Sequence, residues 1–196
     1  MKEFFVILFS VILIDNLVLS RFLGVCSFLG LTKSVKNAMG MSVAVIFVML
    51  VATAVTYPIY WNLLDPVGLG YLQTVVFILV IASVVQVLEA VIRKAFPPLY
   101  RAMGIYLPLI TTNCAILGVM LINIQETYGF LAAMMSSLGA GVGYMLAMFL
   151  FAGVRAKMEK ADIPSFMEGL PSTLMAAAIV SVSFMGFKGV IENLFG

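Results

Sequence analysis

The chain has no histidine, only two cysteines, and few charged residues, since lysine, arginine, aspartate and glutamate make up 10% of its 196 residues. The missing histidine excludes histidine-ligated haem, His-bound zinc or copper, and an imidazole proton relay. Two cysteines are too few for a self-contained four-thiolate iron–sulfur or zinc site. The apolar share is 63%, against about 45–50% in soluble domains, which excludes an ordinary water-soluble fold. The net charge of +2 gives no sign of a nucleic-acid partner.

Long apolar runs predict an all-α membrane protein with six transmembrane helices. The runs lie near residues 4–31, 39–64, 72–92, 102–124, 130–154 and 170–190. The first run is too long for a signal peptide, lacks a small-residue cleavage site and contains Asp15 and Arg21, so it is expected to be retained. Residues 1–196 are therefore expected to form one integral membrane domain.

The loop charges predict the orientation of these spans. Basic residues lie in the first, third and fifth loops: Lys33, Lys36, Arg93, Lys94, Arg101, Arg155, Lys157 and Lys160. The second and fourth loops carry Asp65 and Glu126 and no lysine or arginine. Positive charge marks cytoplasmic loops, so the odd loops are predicted to be cytoplasmic and both termini to lie on the outer side.

The chain contains a weak internal repeat. The string CSFLG at residues 26–30 aligns with CAILG at residues 114–118, and each string belongs to the first span of a group of three. The halves, about 1–94 and 95–196, would then have opposite topology because three spans is an odd number. Inverted repeats of this kind are typical of transporters whose functional site lies near the membrane midplane, where discontinuous helices meet.

The first and fourth spans are predicted to be broken or re-entrant. A straight helix of the first span would be roughly 42 Å long, against a hydrocarbon core of about 30 Å. Its interior holds Asn16, Gly24 and Gly30, and the fourth span holds Pro108 and the polar run TTN at 111–113. Non-helical backbone at this depth needs protein or a cavity to cover it.

The two cysteines, Cys26 and Cys114, occupy equivalent positions in this repeat. A cysteine in a membrane span is most often a small apolar packing residue, and that interpretation stays open. As thiolates, the pair could supply half of a four-cysteine [2Fe–2S] site, and the other half would have to come from a second subunit. A disulfide between them is not expected in a bilayer facing a reducing cytoplasm.

Other polar residues inside the spans are candidates for supporting the cysteines or for an ion path: Asp15, Arg21, Glu89, Thr112 and Asn113. Intramembrane charges cost at least ~2.5–3.5 kcal/mol and are functional candidates for that reason. The alternatives are partial neutralisation of Asp15 by Arg21, and pairing of Glu89 with Arg93. Asn113 could donate to a sulfur or cap a half-helix. The glycines of the segment GAGVG at 139–143 are expected to allow close helix packing.

Several segments resemble the A-type membrane protein of the Rnf complexes, which are ion-translocating ferredoxin:NAD oxidoreductases of prokaryotic membranes. They are LGVCSFLG at 23–30, FPPLY at 96–100 and especially GIYLPLITTNCA at 104–115, with shorter strings at 38–41, 75–81 and 184–187. The likeness therefore covers essentially the whole chain. The chain departs from the family pattern at Ser27, where the family often has proline, and at Asp15, where it often has asparagine.

The resemblance implies that Cys26 and Cys114 bind iron of a [2Fe–2S] cluster shared with a homologous E-type subunit of opposite topology. It also implies electron transfer coupled to Na⁺ or H⁺ translocation in the prokaryotic cytoplasmic membrane, with flavin and nucleotide bound by other Rnf subunits. A cluster-free secondary transporter or channel built on the inverted repeat is the alternative function. A structural scaffold whose cysteines only pack is a third.

Overall fold

The computed structural model describes residues 11–12, 16–32, 35–68, 70–95, 107–162, 164 and 168–195, and the regular structure within them is helical. The α-helices that form the fold are α1 (Val25–Leu31), α2 (Val35–Ile59), α3 (Gln73–Ala95), α4 (Leu107–Thr111), α5 (Cys114–Gln125), α6 (Phe130–Met158) and α7 (Leu170–Phe195). Helix α2 contains Pro58 and continues as a π-helical turn, Tyr60–Leu64, and a final turn, Asp65–Val67.

Among the described residues, three segments are long and apolar enough to cross a bilayer by themselves: Ala38–Leu64, Gln73–Val91 and Phe130–Met158. Two further apolar helical stretches, Leu109–Gln125 and Leu170–Gly186, are shorter. The chain is thus a helical membrane protein, as its composition predicts. The six-span inverted repeat stays a prediction, since part of the first and fourth spans lies outside the described residues.

The core forms where α2 packs along α6, and α3 and α5 pack against α2 and against each other. Its fully buried side chains include Met49 on α2, Phe77 on α3, Ile116 on α5 and Met148 on α6. Helix α3 leaves many apolar side chains outside this core: Val75, Ile78, Leu79, Val87 and Val91. In a bilayer such a face contacts lipid or another protein chain, because either environment accepts apolar side chains.

Close packing of α2 on α6 depends on glycine, as the segment 139–143 predicts. A Cβ added at Gly141 would lie 2.7 Å from Ile46 Cγ1 and 3.3 Å from Ile46 Cα. A Cβ added at Gly143 would lie 3.3 Å from the backbone of Ile12. The backbone contacts leave little room to adjust, so these glycines set the distance between the packed segments.

We expect Gly141→Val to destabilise the protein by about 1–3 kcal/mol, because the added side chain overpacks the contact with Ile46. The matched control is Gly153→Val on the same helix, where an added Cβ meets nothing within 4 Å. Thermal unfolding of the detergent-purified protein measures the difference. Equal destabilisation by the two substitutions would contradict the packing role of Gly141.

Candidate metal centre

The first predicted span is broken at residues 16–24, which are not helical. Asn16 holds this segment: its Oδ1 accepts from Val18 N at 3.1 Å and Leu19 N at 3.4 Å, and its Nδ2 donates to Gly143 O at 2.9 Å. Ser181 of α7 donates to Leu19 O. Side chains and neighbouring helices thus pair backbone groups that a helix would otherwise satisfy, as non-helical backbone in a membrane requires.

The break ends at Gly24, which precedes the short helix carrying Cys26. Gly24 has φ +86°, in the left-handed region that favours glycine. A Cβ there would lie 3.1 Å from Ala115 Cβ, 3.2 Å from Asn113 Oδ1 and 3.2 Å from Tyr144 Cε2. Both the backbone angle and the close neighbours therefore require glycine at this position.

The fourth predicted span is also interrupted, at Thr112 and Asn113, between α4 and α5. Asn113 is the N-cap of α5, and its Oδ1 accepts from Ala115 N at 3.1 Å. This bond fixes Oδ1 as the acceptor and leaves Nδ2 as the donor. Nδ2 is buried and has no partner with hydrogen-bond geometry. The breaks predicted in both cysteine-bearing segments are present.

The two broken segments meet at Cys114. The backbone N–H of Gly24 donates to Cys114 Sγ with an N···S distance of 2.8 Å. Cys114 is half-buried at the first position of α5, and Cys26, two residues after Gly24, is exposed. Segments that are far apart in the sequence are thus brought to one place. Within the part of the chain that the structure describes, no group of three or more His, Cys, Asp or Glu could hold a metal.

Tyr144 of α6 lies between the two cysteine-bearing segments and was not among the residues that the sequence predicts for the site. Its hydroxyl is 2.8 Å from Ser27 Oγ, and its ring carbon Cε2 lies 3.2 Å from the position of a Cβ added at Gly24. A single tyrosine following the glycines of 139–143 is the only signal the sequence offers for it.

The structure describes three of the four remaining predicted residues: Arg21, Glu89 and Thr112. Thr112 lies at the α4–α5 break with an exposed side chain, and Arg21 is exposed in the first break. Glu89 lies near the end of α3 beside a shallow surface depression that Arg93 and Lys94 also line. Asp15 lies outside the described residues.

The sequence places Arg155 among the basic residues of a predicted cytoplasmic loop. In the structure it lies in the last turn of α6 and contacts a second segment. Its Nη1 donates to Leu29 O at 2.6 Å and to Thr32 Oγ1 at 3.1 Å. Leu29 belongs to the last turn of α1, whose carbonyls have no partner within the helix. The guanidinium therefore ties the C-terminal end of the Cys26 helix to α6.

These features define a class of protein: a helical membrane protein in which two interrupted segments, each carrying one cysteine, are in contact. The family model described as "Rnf-Nqr subunit, membrane protein" matches residues 4–191. The chain is 52% identical to a protein of Acetobacterium woodii, over 94% of its own length and 96% of the relative's. That relative is named as the A component of the Na⁺-translocating ferredoxin:NAD⁺ oxidoreductase complex.

Two further relatives are named as the A component of an ion-translocating oxidoreductase complex. The protein of Syntrophotalea carbinolica is 46% identical, and that of Vibrio cholerae 43%, each over 98% of this chain and the whole of the relative. The chain therefore belongs to the Rnf-Nqr family of membrane proteins, and the resemblance of its sequence to this family is confirmed.

Proposed function

We propose that the chain is the membrane electron-transfer subunit of an Rnf-type ion-translocating oxidoreductase of the prokaryotic cytoplasmic membrane. The observation that carries this proposal is the contact of the Cys26-bearing and Cys114-bearing segments through the Gly24 N–H···Sγ hydrogen bond. The names of its relatives, which are components of ion-translocating oxidoreductase complexes, agree with it.

The residues present fit half of a [2Fe–2S] site. Such a cluster takes four thiolates and carries one electron at a time, and this chain has two cysteines. The Gly24 N–H donates to Cys114 Sγ, and hydrogen bonds to ligand sulfurs are among the features that set the potential of such a cluster. Asn113 Nδ2, buried without a partner, is a donor available to a further sulfur acceptor. Cys26 and Cys114 are the proposed ligands, and a homologous subunit of opposite topology supplies the other two.

The proposal includes the six-span arrangement in inverted halves, about 1–94 and 95–196, with both termini outside. An electron added between the broken segments raises the negative charge in a low-dielectric region, where charge interactions are strong. The two halves then shift relative to one another and admit Na⁺ or H⁺ from one side only. Flavin and nucleotide are bound by other subunits.

The test compares the chain purified alone with the chain purified together with its homologous partner. Because this chain supplies half of the thiolates, we expect iron, acid-labile sulfide and the paramagnetic signal of a reduced [2Fe–2S] cluster only in the pair. A pair in which both Cys26 and Cys114 are replaced by serine controls for iron bound elsewhere.

The outcomes separate the competing functions. Stoichiometric cluster in the chain alone would contradict the shared site. A cluster-free pair, together with ion transport by liposomes containing the chain alone, would instead support the secondary transporter. Cluster in the pair that disappears in the serine control supports the proposal.

A further inference from the structure

Tyr144 and Ser27 form a buried hydroxyl pair beside the cysteines, and the proton positions in this pair follow from its geometry. Ser27 Oγ donates to Gly24 O at 3.0 Å, which uses the only proton that a serine hydroxyl carries. The Tyr144 hydroxyl, 2.8 Å from Ser27 Oγ, must then be the donor of the bond between them. Its oxygen keeps lone pairs that can accept a further hydrogen bond.

These bonds form a chain that links the two cysteine-bearing segments. It runs from the Tyr144 hydroxyl to Ser27 Oγ and on to Gly24 O, and Gly24 N in turn donates to Cys114 Sγ. Tyr144 is its only member outside the two segments. Its aromatic ring also packs on Gly24, with Cε2 3.2 Å from the position of an added Cβ.

We propose that Tyr144 is a positioning residue: its hydroxyl fixes the segment of Gly24 and Ser27 against the N-terminus of the Cys114 helix. This rests on the proposed function and deepens it, because it explains how two segments far apart in sequence keep their thiols in one arrangement. Tyr144 and Ser27 are both fully buried, so no water replaces their hydrogen bond if it is lost.

The test uses the purified pair of subunits and measures the rate at which a ferrous chelator removes iron, and the paramagnetic spectrum of the reduced cluster. Tyr144→Phe removes the hydroxyl and keeps the ring. We expect iron loss to be roughly three- to tenfold faster, as loss of one buried hydrogen bond implies, with an altered spectrum. Tyr57→Phe is the matched control, since Tyr57 contacts Trp61 and Phe130 rather than the cysteine segments.

Ser27→Ala removes the same hydrogen bond by changing its other partner. It replaces Tyr144→Phe in the test if the tyrosine variant does not accumulate. Ser27→Ala also removes the bond to Gly24 O, so it should accelerate iron loss at least as much as Tyr144→Phe. Because the bond between the two hydroxyls is lost in both variants, the double variant should accelerate iron loss by less than the product of the two single effects. Wild-type iron-loss rates and spectra in Tyr144→Phe and Ser27→Ala would overturn the proposal. The proposed function would still stand in that case, since it depends on the loss of the cluster when Cys26 and Cys114 are replaced.

Discussion

Replacing Cys114 with serine is expected to remove the iron and sulfide of one [2Fe–2S] cluster from the complex and to abolish its electron transfer. The serine oxygen can still accept from Gly24 N, so the contact between the two broken segments should persist and the subunits should assemble. Activity should fall by more than about 100-fold, beyond the range that residues surrounding a metal site produce. Iron analysis, the paramagnetic signal and ferredoxin-dependent NAD reduction measure the effect.

Alanine at the same positions distinguishes a ligand from a packing residue. If the cysteines only fill space, Cys114→Ala and Cys26→Ala should be tolerated, because alanine is small and apolar. If they bind iron, alanine and serine should be equally inactive. A Cys26→Ala, Cys114→Ala complex with a normal cluster would favour the scaffold interpretation and remove both residues from the ligand set.

The breaks in the cysteine-bearing segments were predictable because polar and glycine residues interrupt otherwise apolar runs. In the run TTN at 111–113, Thr111 ends α4 and Asn113 caps the next helix. In the first segment, Gly24 marks the end of the break through its left-handed φ. Local sequence therefore indicates where each break lies.

The side chains that hydrogen-bond to the broken segments were not predictable, because their positions depend on how distant helices pack. Asp15 was predicted as a candidate because of its charge. The neighbouring Asn16 is the residue that holds the first break, because its side chain bonds to Gly143 O, 127 residues away. Tyr144 and Arg155 likewise have simpler explanations in the sequence, as a residue of an apolar span and as a positive charge of a predicted loop, although both lie on α6. Only the packing of α6 against both segments brings them to the site.

Substitutions of Asn113 should separate its capping of α5 from the proposed role of its Nδ2 as a donor to sulfur. After those of the cysteines, they are expected to lower cluster content the most. Asparagine, aspartate and serine are about equally good N-caps, whereas alanine is poor and costs about 1 kcal/mol. Asn113→Ser therefore keeps the cap and removes the Nδ2 donor. Asn113→Asp keeps the cap and replaces the donor with an oxygen that repels thiolate sulfur.

If the Asn113 amide supports the sulfurs, cluster content or electron transfer should fall roughly tenfold in Asn113→Ser, and towards 100-fold in Asn113→Asp, the range for residues that support metal ligands. Thermal stability should fall in Asn113→Ala and stay near the wild-type value in Asn113→Ser, which keeps the cap. Asn123→Ser is the control, because Asn123 is equally buried in the same helix but bonds to Ser137 and Ala133 O. Were serine and aspartate to retain the wild-type cluster while alanine lost it, capping would be the whole contribution of Asn113.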